Sequence, residues 1–169
     1  MKKPTIYLDT NIVSALLYDG TEIGTISRRI VTQDWWESEQ PHFSVWASSL
    51  TELELAQGVY RAQPDCLRFV RRLKYVLITK EIRSLAAELL SAGIIPDSKP
   101  GDALQLALAA GHQFDYLLTW NYAHLANPVT QSKLERLLLK WQWHSPLLVS
   151  PESIPQVRFN QTIRRKFDD

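Results

Sequence analysis

Several short stretches of this chain are apolar on both faces, and they constrain the fold more than any other feature. Pro4–Leu8 (PTIYL) is the clearest, followed by HFSVWA at 42–47, Val76–Ile78, YLLT from Tyr116 and Leu147–Val149. A strand without a polar side cannot face water on either surface, so it belongs inside a parallel sheet covered by helices on both faces. The intervening segments carry helical spacing, as parallel neighbours require a crossover. Helices are expected over Thr10–Tyr18, Thr21–Glu39, Leu50–Arg61, Pro64–Tyr75, Thr79–Ser91 and Asp102–His112, with one starting at Asn121 and one over Gln131–Trp141. The apolar faces are expected from Ile23, Ile26, Ile30 and Trp35 in the second helix and from Leu50, Leu53, Ala56 and Tyr60 in the third. The expectation is an α/β three-layer sandwich with a mostly parallel central sheet flanked by helices.

A length of 169 residues suits one domain, expected over 1–150, with an irregular C-terminal extension over 151–169 that contains Arg164-Arg165-Lys166. Apolar residues at 45% and charged residues at 22% argue against disorder. The net charge of +1 provides no whole-protein basic field, so any nucleic-acid contact must be local. The single cysteine, Cys66, excludes an intrachain disulfide and a thiolate zinc site and is expected as a small buried hydrophobe. The N-terminal stretch lacks the apolar run of a signal peptide. The longest apolar stretch, Ala103–Gly111, is interrupted by Gln105 and is about half of the roughly 20 residues a membrane span needs. A cytoplasmic protein with no membrane partner is the expectation.

Open α/β sheets bind ligands beyond the carboxyl ends of their strands, so the residues there are the candidates for chemistry. Asp9 ends the first strand, Asp102 opens an almost wholly apolar helix, and Asn121 follows YLLTW. Each of these also suits a helix N-cap or first turn. Glu52 and Glu54 lie about 200° apart around a helix axis, so only one of them can join such a site, and periodicity does not say which. Two carboxylates ~4 Å apart repel by roughly 4 kcal/mol at an effective dielectric near 20, so an acidic cluster calls for a cation. Oxygen ligands without Cys or clustered His favour Mg²⁺ or Mn²⁺, which commonly meets a substrate phosphate. The densest basic stretch, Arg61, Arg68, Arg71, Arg72 and Lys74, is either a solvated face or a phosphate-steering one.

YLDTNI, TELELAQG, GDALQLALA and DYLLTWNYAHLAN, in this order and spacing, resemble the PIN-domain family of metal-dependent ribonucleases, and its VapC-like toxin branch in particular. The resemblance runs from about Ile6 to Asn127. It implies Asp9, Glu54 and Asp102 as metal ligands, choosing Glu54 over Glu52 because Gly58 stands four residues beyond it. It implies Asn121 as a fourth catalytic position, where many members carry an acid, with Thr10, Asn11, Thr119 and His124 as supporting or substrate-facing groups and Arg68, Arg71 and Arg72 as RNA-steering residues. It further implies Mg²⁺ or Mn²⁺ as cofactor, hydrolysis of single-stranded RNA, an antitoxin partner and a homodimer. The alternative is a catalytically weak PIN-like module that binds RNA or a protein without cleaving, motivated by the amide at Asn121.

Overall fold

A computed structural model of the chain describes residues 2–154. Its centre is a five-stranded, all-parallel sheet of β1 (Thr5–Leu8), β2 (Ser44–Ser48), β3 (Lys74–Val76), β4 (Tyr116–Leu118) and β5 (Leu147–Val149). The spatial order is β3-β2-β1-β4-β5. The chain builds outward from β1 to one edge and then crosses to the other side, so the order reverses between β1 and β4. A crevice opens beyond the carboxyl ends of strands at such a switch point.

The helices are α1 (Thr10–Leu16), α2 (Ile23–Ser38), α3 (Ser49–Ala56), α4 (Gln63–Val70), α5 (Lys80–Ser91), α6 (Pro100–Gly111) and α7 (Pro128–Leu139), with a short 3₁₀ turn at Gln40–His42. Successive strand residues point to opposite faces. Tyr7 and Leu117 therefore join the core of α5, α6 and α7, whereas Ile6, Leu8, Tyr116 and Leu118 pack with Ile12 of α1 and Trp35 of α2. A third cluster joins Val13, Ala47, Leu55, Cys66 and Val70, which places α3 and α4 against α1 and buries the cysteine as expected. The result is the expected three-layer sandwich. Leu89, fully buried where α5 lies along α6, is expected to destabilise the fold by about 2–5 kcal/mol when replaced by alanine, measured by urea unfolding.

Several boundaries differ from those expected. The segment after Asn121 is a series of turns, with the Leu125 and Ala126 amides returning to the Asn121 carbonyl at 3.0 and 2.8 Å. Pro128 explains this, because the residue before a proline is pushed out of helical geometry. Asn127 is instead the N-cap of α7, accepting from the Thr130 amide. Helix α3 stops at Ala56 rather than Arg61, and Gly58 follows with φ +78°, a left-handed turn that glycine adopts without strain. Strand β3 begins two residues before the expected Val76, in register with Trp46–Ser48 of β2. The expected apolar faces of α2 and α3 are also corrected. Ile23, Ile30 and Leu53 are exposed, while Thr32 and Trp35, and Leu50, Thr51 and Leu55, are the buried residues. In each helix only a narrow stripe meets the core.

Of the segment beyond 150, Pro151–Ile154 is described, and Ile154 is fully buried beside β5 in the α1/α2-side core. Arg164-Arg165-Lys166 and the rest of the extension lie outside the described residues. No helix among the described residues is long and apolar enough to cross a membrane.

Candidate functional site

Asp9 leaves β1 at the switch point. Its amide donates to the Leu118 carbonyl at 3.0 Å, which brings the end of β1 against the end of β4. Asp9 occupies the N-cap position of α1, yet its side chain makes no capping bond. The carboxylate instead accepts from Thr119 Oγ1 at 2.5 Å and Asn11 Nδ2 at 2.7 Å, both on Oδ2. The simple capping role is thereby excluded. Asn11 is itself held: its Nδ2 also reaches Thr119 Oγ1 at 3.1 Å and its Oδ1 accepts the Trp120 amide at 2.9 Å. Asn11 and Thr119 thus clamp Asp9 from two sides.

Asp102 sits in the first turn of α6, which starts with Pro100. Its Oδ2 accepts from Asn121 Nδ2 at 3.0 Å, so the amide from the end of β4 faces the carboxylate from α6. Asn121 Oδ1 accepts the His124 amide at 3.0 Å, which fixes which end of the side-chain amide points at Asp102. His124 is half-buried. It lies on the turn after β4 rather than on a shared helix face with Asn121, as the sequence pattern suggested.

The two glutamates of α3 separate as the helix geometry requires. Glu52 faces the exterior, where Arg71 Nε donates to it at 2.6 Å and Tyr75 donates its hydroxyl at 3.1 Å. Glu54 turns inward and accepts from Thr10 Oγ1 and, at 2.8 Å, from Gln105 Nε2. Thr10, expected as a supporting group, gives its hydroxyl to Glu54. Gly101 makes room for Glu54, since an added Cβ there would lie 3.2 Å from Oε1.

Burial raises Asp9 from an ordinary value near 3.8 to about 6, with repulsion from Glu54 and Asp102 adding to it and the Thr119 hydroxyl opposing it. Glu54 and Asp102 thus both lie near enough to Asp9 to disfavour its charged form. Among the described residues, no three His, Cys, Asp or Glu side chains stand close enough to enclose an ion by themselves. The donor set is all oxygen and anionic, and it fits a hard cation that keeps part of its water shell rather than a closed protein cage.

Of the steering residues expected from the sequence, Arg68 of α4 is paired with Asp65, Arg71 at the end of that helix is paired with Glu52, and Arg72 is exposed beside it. Trp120 is buried, with its indole N–H donated to Thr32 Oγ1 at 2.9 Å, so its ring is part of the core. Gln105 and Tyr7 belong to the site but were not singled out from the sequence. The available signal for Gln105 was its place three residues after Asp102, the only polar side chain in ALQLALAAG.

The PIN domain pattern matches residues 6–127, most of the chain. The chain belongs to the PIN domain family. Among solved structures, a toxin–antitoxin complex from Klebsiella pneumoniae superposes with a TM-score of 0.53 at 23% identity, covering 73% of this chain and 93% of that one. VapBC2 from Rickettsia felis, bound to a DNA fragment from its promoter, gives a TM-score of 0.50 at 17% identity over 69% and 88% of the two chains. At these identities the likeness is one of fold. No curated protein matches the sequence.

Proposed function

We propose that this protein is a metal-dependent endoribonuclease that cleaves single-stranded RNA and serves as the toxin of a toxin–antitoxin pair. The observation that carries the reading is the convergence of Asp9, Glu54 and Asp102 on the β1/β4 crevice, where no cationic side chain answers their charge in the hydrogen bonds they make. Burial and repulsion from Glu54 and Asp102 disfavour the charged form of Asp9, a cost that a cation would offset, and RNA brings the phosphates that a hydrated Mg²⁺ or Mn²⁺ would meet. The fold shared with toxin–antitoxin complexes supports an antitoxin as partner; the homodimer belongs to the proposal through the family resemblance alone.

Asp9, Glu54 and Asp102 would hold the metal. When bound, a divalent ion supplies an acidified water and stabilises charge on the attacked phosphate. The chain's own part is orientation. Asn11 and Thr119 keep Asp9 in one rotamer, and Asn121 is locked to Asp102 through one of its two N–H bonds. The second N–H is the donor we assign to a phosphate oxygen or an attacking water.

The test is incubation of the full chain with an RNA that carries single-stranded loops, in Mg²⁺, Mn²⁺ or EDTA. Cleavage that requires the metal supports the reading; a folded protein that binds the RNA and leaves it intact in both metals supports the non-catalytic module. The same assay separates the two glutamates. Glu54→Gln is expected to slow cleavage about a hundredfold, in the range that loss of a metal's ligand support produces, whereas Glu52→Gln stays within about twofold. Equal losses at both positions would remove Glu54 from its special role.

A further inference from the structure

A chain of buried polar groups runs behind Glu54, and the donors and acceptors along it set the order of its hydrogens. Ser48 is the N-cap of α3, and its Oγ accepts the Leu50 and Thr51 amides at 3.2 and 3.4 Å. Both lone pairs are then engaged, so its own proton points to the Tyr7 hydroxyl 2.8 Å away. Tyr7 donates onward to Gln105 Oε1 at 2.6 Å. With its oxygen held by Tyr7, Gln105 must present Nε2 on the other side, where the two N–H bonds go to Glu54 Oε2 at 2.8 Å and Thr10 Oγ1 at 3.0 Å. Thr10 accepts that bond and gives its own proton to the same Oε2. Tyr7, Ser48 and Gln105 are all buried, and the chain ties both ends of α3 to β1 and α6.

We propose that Ser48, Tyr7, Gln105 and Thr10 are a positioning chain whose fixed proton order holds Glu54 through Oε2 and leaves Oε1, on the Gly101 side, for the metal. Tyr7 acts only through Gln105. Without the phenol hydroxyl, the Gln105 amide is free to rotate and set its oxygen against the carboxylate. Without Gln105, half of the donors on Oε2 disappear and Tyr7 has nothing to orient. The inference rests on the metal-dependent reading of the site.

The test is a double-mutant cycle read by Mn²⁺ affinity, followed by electron paramagnetic resonance of free Mn²⁺, on wild type, Tyr7→Phe, Gln105→Leu and the double variant. Groups behind a metal's ligands typically change its affinity 10–100-fold. Tyr7→Phe is expected to weaken Mn²⁺ about tenfold, Gln105→Leu about tenfold or more, and the double variant no more than Gln105→Leu alone. Gln105→Met, closer in volume, serves if the leucine variant does not fold. Single variants that bind Mn²⁺ within twofold of wild type, or losses that multiply in the double variant, overturn the chain while leaving the metal reading intact. A wild-type protein that binds no Mn²⁺ overturns both.

Discussion

Replacing Asp102 with alanine is expected to reduce RNA cleavage about a thousandfold or more, equivalent to ~4 kcal/mol of transition-state stabilisation, while the protein stays folded. The two consequences follow from different surroundings. For the chemistry, Asp102 is one of the three proposed anionic ligands and is the anchor for Asn121, so its loss would remove a ligand and release the amide proposed to face the phosphate. For the fold, Asp102 is half-buried, and its side chain contributes one hydrogen bond and a favourable place in the first turn of α6. The helix-dipole part of that is worth about 0.3–1 kcal/mol. Circular dichroism and a thermal melt beside the cleavage assay check both halves. Undiminished cleavage by the alanine variant would place the chemistry elsewhere, and a collapsed melt would show that Asp102 is chiefly structural.

The second large effect is on stability. Asp9 titrates near 6 in the fold and near 3.8 unfolded, so the folded state binds its proton more tightly. Above pH 6 the folded protein carries a buried, repelled carboxylate; below the unfolded value both states are protonated and that penalty vanishes. The Asp9 contribution to the metal-free fold therefore grows more favourable as pH falls from about 7 to about 4, by up to ~3 kcal/mol. The opposite slope comes from carboxylates held low by hydrogen bonds, such as Glu22, Glu52 and Glu81. A comparison with Asp9→Asn isolates Asp9 from them. In EDTA, urea unfolding is expected to show Asp9→Asn more stable than wild type at pH 7.5 and the gap closing toward pH 4. The same variant is expected to lose Mn²⁺ affinity by calorimetry, because the charge that destabilises the empty crevice is the one that binds the ion. A gap that is constant with pH would mean that Asp9 is not perturbed by its surroundings.

The strands were legible because their apolar character needs no context. PTIYL and YLLT can exist in water only when covered on both faces, and that requirement alone implies a parallel sheet between helical layers. Asp9, Asp102 and Asn121 were legible for a related reason: they stand where such strands and helices end. Element ends were less so. The turns at 121–127 depend on Pro128 displacing the helix start, and the early stop of α3 depends on Gly58 in a left-handed turn.

Helical spacing does not by itself give burial. Ile23, Ile30 and Leu53 have the right period but are exposed, because which part of a helix meets the core depends on where the helix docks. The choice between Glu52 and Glu54 has the same origin. Their angular separation guarantees that one is in and one is out, but the sequence holds nothing physical that says which. That is settled by α3 packing with Leu55 toward α4 and the sheet, which carries Glu54 to Thr10 and Gln105 and leaves Glu52 to Arg71.

Local sequence thus determined the sheet, its covering helices and the acids at their ends, since burial and chain stiffness act over a few residues. Tertiary structure alone decided the partners: Tyr7 with Gln105, Asp9 with Thr119 and Asp102 with Asn121 are separated by 98, 110 and 19 positions. A hydrogen bond has a range of about 3 Å, so no pattern along the chain reveals it until the fold has closed that distance.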